Sequence, residues 1–265
     1  MEEWYADAHT LSAAEAGLEG VRSRVARGYA RLHSLRLPLR RDGFQLIFRE
    51  FVEGVQRKRV DVVRSLREVG NLAAERYAGV FERTDWVAEM EWVAGLFEKH
   101  GCKITVTHGD TNFLNVLVRP DSSSSNDNDN DNDNDEDNRI VLIDYETVSY
   151  SYRGFDIGGH FSERMYCYSQ PDSQLTGYSA PDFEEQRAFC EAYLRELREL
   201  RVAEHDDTVE QLLLEAKIGR LWHALFVNMM CTVFDDVELD PVFLEALGHM
   251  MEGYWLLKEE FLDGR

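Results

Sequence analysis

Long apolar runs are absent from this chain of 265 residues. No stretch approaches the ~20 consecutive apolar residues of a membrane-spanning helix, so the sequence predicts no transmembrane segment. The first residues, Met-Glu-Glu-Trp-Tyr-Ala-Asp, lack the basic and apolar parts of a signal peptide. The four cysteines form no Cys-x-x-Cys pair and show no ligand-like spacing with histidine. We therefore expect reduced thiols and a cytoplasmic protein.

Basic residues are also few, with 29 Lys and Arg against 50 Asp and Glu and a net charge of −21. Eight of the acidic residues lie in one tract, residues 121–138, but the rest of the chain is still acidic. Such a charge repels nucleic acid and anionic membranes, so we expect neither as a partner. It supports a cationic substrate only weakly, because solubility alone accounts for an acidic composition.

The tract 121–138 reads Asp-Ser-Ser-Ser-Ser followed mostly by alternating Asn and Asp. It has almost nothing to bury and repels itself, which predicts a disordered loop insertion. The apolar runs 116–118 and 140–143 on either side of it predict the two strands of a hairpin. A regulatory or metal-binding role for the tract is a weaker alternative.

Most of the chain has helical periodicity, and the prediction is a mainly α protein with a small β-hairpin or sheet. A capping box, Ser12-x-x-Glu15, opens a helix that we expect to end near Leu37. The run 104–107 predicts a short strand. Further helices are predicted at 44–81, from Trp86 to Gly101, and near 182–200, 208–234 and 240–262.

One motif carries chemistry. Residues 108–115 read His-Gly-Asp-Thr-Asn-Phe-Leu-Asn, and Asp144 follows Asn115 after 29 residues. Protein kinases use the same five-residue spacing between a catalytic Asp and a metal-binding Asn, followed by a metal-binding Asp. Asp110 is thus the candidate base for a substrate hydroxyl, and Asn115 and Asp144 are candidate ligands of Mg²⁺. Taken singly, Asp110 also fits a turn residue that caps its own backbone.

The residues after Asp144 narrow the interpretation. Residues 143–146 read Ile-Asp-Tyr-Glu, and 150–163 read Tyr-Ser-Tyr-Arg-Gly-Phe-Asp-Ile-Gly-Gly-His-Phe-Ser-Glu. This run closely resembles the signature of the choline/ethanolamine kinase family, most densely over 104–168. The resemblance implies the C-terminal lobe of a protein-kinase-like fold. It also implies ATP-dependent phosphorylation of a small amino alcohol, with Mg²⁺, in the synthesis of phospholipid head groups.

The resemblance also implies roles for single residues. His108, Arg153 and Asp156 are expected to support the structure, with Asp156 bonded to the backbone of the catalytic loop. Glu163 and Tyr168 match substrate-pocket residues of the family.

The rest of the acceptor pocket departs from the family pattern. Thr147 stands where the family has an aromatic residue, and Leu-Trp-His-Ala-Leu-Phe at 221–226 replaces a pair of tryptophans. Phe226 is expected to form one aromatic wall, and Trp222 or His223 the other. A tryptophan on an apolar helix is more often in the core, so Trp222 is an open assignment. The thinner cage favours ethanolamine or another amino alcohol over choline.

A kinase also needs a glycine-rich phosphate loop and a strand lysine. Before residue 104 the chain has no Gly-x-Gly-x-x-Gly and no Val-Ala-x-Lys-like strand. We therefore expect residues 1–265 to be a C-terminal lobe whose Met1 lies inside a longer gene, at a misassigned start codon or at the start of a truncated product. By itself this lobe is expected to bind ATP weakly and to self-associate. A homodimer is one possible form of that association. The alternatives are an aminoglycoside-type phosphotransferase and a non-catalytic fragment that binds a partner.

Overall fold

The computed structural model describes residues 8–119, 139–167, 174–177, 179–233 and 241–264. Helices dominate these ranges, as predicted. They are α1 (Ala13–Ala16), α2 (Glu19–Ser34), α3 (Gly43–Val69), α4 (Leu72–Arg83), α5 (Trp86–Lys99), α6 (Arg153–Glu163), α7 (Phe183–Glu199), α8 (Val209–Val233) and α9 (Pro241–Leu262). The strands are β1 (His9–Thr10), β2 (Ile104–Thr107), β3 (Val116–Val118), β4 (Ile140–Leu142), β5 (Ser149–Tyr152), β6 (Tyr166–Cys167) and β7 (Gln174–Leu175).

The first predicted helix is in fact two helices. Ser12 caps α1 as expected, because its Oγ accepts from the backbone N–H of Glu15 while the Glu15 carboxylate accepts from the N–H of Ser12. The helix then stops at Gly17, and Leu18 adopts an extended conformation before α2. The prediction of one continuous helix was therefore wrong at this point.

The stretch 44–81 is helical, as predicted, but it is divided into two helices. Gly70 ends α3 in the left-handed conformation, with φ 72°. Asn71 then starts α4, and its side chain accepts a hydrogen bond from the backbone N–H of Ala74. A glycine at a helix end followed by an N-capping asparagine is a stop and a new start, which explains the break.

The sheets are small and antiparallel. Strands β1, β3 and β4 form one sheet, β2 pairs with β5, and β6 pairs with β7. The predicted hairpin is confirmed, since Val116 pairs with Leu142 and Val118 with Ile140. The tract 121–138 between its strands lies outside the described residues.

Two hydrophobic clusters fill the interior, and helices α6 and α8 contribute to both. All of α6 is buried. The two helices touch through their backbones, because a Cβ at Gly154, Gly158 or Gly219 would overlap the backbone of the facing helix. This contact fixes α6, which carries much of the family-like motif, against α8. Within the described ranges, no helix combines the length and apolar character needed to cross a membrane.

Candidate active site

The loop after β2 is held by one buried carboxylate. Asp156, on α6, is fully buried and accepts hydrogen bonds from the backbone N–H groups of His108 (2.6 Å) and Gly109 (3.0 Å). Gly109 has φ +83°, and a Cβ there would lie 2.8 Å from the Thr147 carbonyl oxygen. Only a glycine fits this turn without strain. The backbone contact expected of Asp156 is therefore present, and it fixes the loop that carries Asp110.

His108 joins this loop to the one that follows β4. Its Nε2 donates to the carbonyl oxygen of Ile143 at 2.8 Å. In the other direction, the Thr147 hydroxyl donates to the carbonyl oxygen of His108 at 2.7 Å. The two segments that bear Asp110 and Asp144 are thus tied together by two hydrogen bonds.

Three residues with oxygen-bearing side chains, Asp110, Asn115 and Asp144, lie on neighbouring backbone segments. The Asp110 carboxylate is exposed and accepts from the Asn112 backbone N–H at 3.2 Å. The Asn115 amide N–H contacts the Asp110 carbonyl oxygen weakly, at 3.5 Å, which leaves the amide oxygen as an acceptor. The backbone N–H of Ile143 donates to the Asn115 carbonyl oxygen at 3.0 Å, so Asp144 comes next to Asn115.

The donor set fits a hard cation. Asp144 has φ 62°, an uncommon conformation for a non-glycine residue that often accompanies function. Within the described residues, no hydrogen bond or ion pair engages its exposed carboxylate. A carboxylate and an amide oxygen are ligands that Mg²⁺ accepts, with phosphate oxygens and water completing its shell.

A cavity of about 460 Å³ opens beside Asp110. Its described wall combines polar loop residues with apolar residues of α6, α8 and α9: Gly109, Asp110, Thr111, Asn112, Glu146, Thr147, Phe155, Glu163, His223, Phe226, Val227, Met230 and Phe243. Three of these residues are carboxylates, and none is lysine or arginine. The wall thus favours a small cation with an apolar body.

Glu163 and His223 meet at the inner end of this cavity. Both are nearly fully buried, and the Nε2 of His223 lies 3.0 Å from the Oε1 of Glu163. The imidazole and the carboxylate are thus within ion-pair distance of each other. The other oxygen of Glu163, Oε2, is buried and has no hydrogen-bond partner in the described structure.

Arg153, the first residue of α6, belongs to a buried network of ion pairs. Its guanidinium makes two hydrogen bonds of 2.8 Å to Glu215 and one of 2.7 Å to Asp207. Burial opposes the charge of Arg153, but these carboxylates outweigh it and raise the pKa of Arg153. The network joins the first residue of α6 to α8 and to the loop before α8.

The family model for choline/ethanolamine kinases matches residues 1–234. The chain belongs to the choline/ethanolamine kinase family. The choline/ethanolamine kinase of Rattus norvegicus is 28% identical over 166 residues, which cover 57% of this chain and 39% of that protein. Choline kinase alpha of Mus musculus is 24% identical over 220 residues, 80% of this chain and 45% of that protein. The chain thus spans less than half the length of these two relatives.

The fold agrees with the family assignment. The crystal structure of choline kinase from Cryptosporidium parvum Iowa II superimposes with a TM-score of 0.62 at 17% identity, covering 97% of this chain and 70% of that one. At that identity the match establishes the fold, which is the protein-kinase-like fold of the family's kinases.

One residue assigned to the substrate pocket from the sequence lies elsewhere. Trp222 is buried in the core, where its ring packs on Phe44 and Phe48. It does not line the cavity, so we assign it to the core and not to substrate binding. Phe226 and His223 line the cavity instead, because positions three apart share one face of a helix. Tyr168 lies outside the described residues.

Sequence reasoning missed His33 as a residue of this site. The ring of His33, on α2, is buried between Asp156 and Tyr193, with contacts of 3.0 and 2.8 Å. A histidine on an otherwise apolar helix face was the available signal, but its partners are 123 and 160 residues away in sequence. Glu215 and Asp207 were missed as partners of Arg153 for the same reason, since they are 62 and 54 residues away in sequence.

Proposed function

We propose that the protein is an ATP-dependent phosphotransferase that phosphorylates a small amino alcohol, choline or ethanolamine, in the cytoplasm. One observation carries the proposal. Asp110, the candidate base, and Glu163, the candidate carboxylate for an ammonium group, line one cavity of about 460 Å³. Family membership and the names of the relatives support the same activity.

The residues divide the work along the cavity. Glu163 attracts the ammonium group, and the apolar wall with Phe226 contacts the carbon chain. The substrate hydroxyl then lies near Asp110, which accepts its proton as the oxygen attacks the terminal phosphorus of ATP, the bond from that phosphorus to the bridging oxygen breaks, and ADP leaves. Asn115 and Asp144 would hold Mg²⁺, which neutralises charge on the phosphates when it is bound. His108, Arg153 and Asp156 hold the loops in place.

The test uses the protein expressed from its complete reading frame. We expect release of ADP from Mg·ATP that depends on ethanolamine or choline. Asp110→Asn should lower kcat by about 10²–10⁴-fold while nucleotide affinity changes little, because a base acts in the transition state. Asp61→Asn, which alters an exposed aspartate of α3, is the matched control and should leave kcat unchanged.

Two results would count against the proposal. Absence of phosphorylation with both amino alcohols would contradict the activity. An Asp110→Asn enzyme that keeps more than about half of the kcat would contradict the role of Asp110 alone.

A further inference from the structure

The inner end of the cavity has an acceptor that no group of the described structure satisfies. Glu163 is 3% exposed, and its Oε2 is buried without a hydrogen-bond partner. A buried acceptor left unpaired is costly, and the cost is larger for a charged group. A ligand that brings an N–H donor to Oε2 would remove that cost.

His223 decides which oxygen of Glu163 remains for a ligand. Its Nε2 lies 3.0 Å from Oε1, so the imidazole covers that oxygen and leaves Oε2 as the oxygen without a neighbouring donor. His223 lies within α8 and is itself buried. Its ring packs near that of Phe155 on α6, with the two ring centroids 6.3 Å apart. Packing alone positions the imidazole in the described structure, because its Nδ1 is buried without a hydrogen-bond partner there.

The aromatic part of the cavity is poorly suited to a quaternary ammonium group. Such a cation is bound best by the open faces of tryptophan and tyrosine rings. The aromatic side chains among the described lining residues are Phe155, Phe226, Phe243 and the imidazole of His223. Phe155 and Phe226 pack against each other, with centroids 5.0 Å apart, and Thr147 directs its hydroxyl to the backbone of His108.

We propose that His223 is a specificity-determining residue, which makes the cavity select a primary ammonium over a trimethylammonium group. The inference rests on the proposed function and refines its substrate. A primary ammonium donates an N–H to Oε2 of Glu163, whereas a trimethylammonium has no N–H and leaves that oxygen unpaired. The three methyl groups also make the ammonium group larger, and no open aromatic face among the described lining residues contacts them.

The experiment compares two substrates on the same enzyme, expressed from its complete reading frame. The ratio of kcat/KM for ethanolamine to that for choline is measured with Mg·ATP. We expect a ratio of at least about ten, the discrimination typical of one hydrogen bond to a charged group. The ratio is independent of the fraction of enzyme that is folded, so a destabilised variant still gives an answer.

Two variants of His223 separate its hydrogen bond from its volume. His223→Gln keeps an N–H for Glu163 and should retain most of the ratio. His223→Leu fills a similar volume but has no N–H, so the carboxylate can rotate. The ratio of kcat/KM for ethanolamine to that for choline should then fall below about three. Trp222→Phe alters the neighbouring residue, which faces the core, and should leave the ratio unchanged.

The outcomes distinguish this inference from the proposed function. Turnover of both substrates with a ratio near or below one would overturn the selectivity while the phosphotransferase activity stands. Equal ratios in His223→Leu and in the unmodified enzyme would overturn the role of His223. No turnover with either substrate would overturn both proposals.

Discussion

His33 on α2 and Asp156 on α6 are joined by a hydrogen bond of 3.0 Å in the buried interior. Asp156 in turn accepts from the backbone of the loop that bears Asp110. The hydroxyl of Tyr193, on α7, contacts the other nitrogen of His33 at 2.8 Å. A line of hydrogen bonds thus runs from α7 through α2 and α6 to the candidate catalytic loop.

Removing His33 should weaken both stability and turnover. His33→Phe leaves the buried Asp156 with two donors instead of three, and we expect the free energy of unfolding to fall by about 1.5–3 kcal/mol. Because Asp156 also orients the loop, kcat should fall with little change in KM. Tyr193→Phe is the matched control, which removes only the outer contact and should cost about 1 kcal/mol. Equal losses in urea denaturation of the two variants would contradict a special role for His33.

The Arg153 network should behave as a coupled unit. Arg153→Met leaves the buried Glu215 without its main counter-charge, and we expect a loss of about 3–5 kcal/mol in the free energy of unfolding. Adding Glu215→Gln removes the stranded charge but keeps an acceptor for the Lys103 backbone N–H. The double variant should therefore be more stable than Arg153→Met alone. Additive losses in a double-mutant cycle would show that the two residues are not coupled.

Acidification should destabilise the fold through His160. Burial among Phe113, Phe161 and Phe189 lowers the pKa of His160 to about 3. In the unfolded chain His160 binds a proton near pH ~6.5, whereas in the folded protein it stays neutral until about pH 3. The free energy of unfolding therefore falls as the pH drops from about 7 towards 3. Between pH 7 and 5 the loss is about 2 kcal/mol.

The variant His160→Leu measures how much His160 contributes to the pH dependence of stability. The variant should lose about 2 kcal/mol less than the unmodified protein between pH 7 and 5, whatever its stability at pH 7. Urea denaturation at both values measures the difference. Identical pH dependence in the two proteins would show that His160 already takes up its proton in the folded state.

The Asn/Asp-rich tract should be dispensable for folding. The hairpin is already closed by a hydrogen bond of 2.8 Å from the backbone N–H of Arg119 to the carbonyl oxygen of Arg139. Replacing residues 121–138 with Gly-Asn shortens the connection, and each halving of a loop saves about 0.6 kcal/mol of closure entropy. We expect an equal or slightly higher melting temperature. A melting temperature several degrees lower, or lost dependence on Mg²⁺, would show that the tract belongs to the structure or the site.

Local signals were enough for much of the fold. The last three helices, strand β2 and the hairpin of β3 and β4 follow from periodicity and turn chemistry within a few residues of each. The breaks at Gly17 and Gly70 were missed because the apolar pattern continues across both. Which face of α8 points into the cavity could not be predicted, since Trp222 and His223 are adjacent and only packing against Phe44 and Glu163 separates them.

The glycine contacts between α6 and α8 have a consequence for redesign of this protein. Glu163 and Phe155 lie on one of these helices and His223 and Phe226 on the other, and backbone touches backbone between them. The two helices cannot come closer together, and no larger side chain fits at these glycines, because even one added methyl group would meet a peptide bond. Redesign for new substrates should therefore exchange the side chains that face the cavity and leave Gly154, Gly158 and Gly219 unchanged.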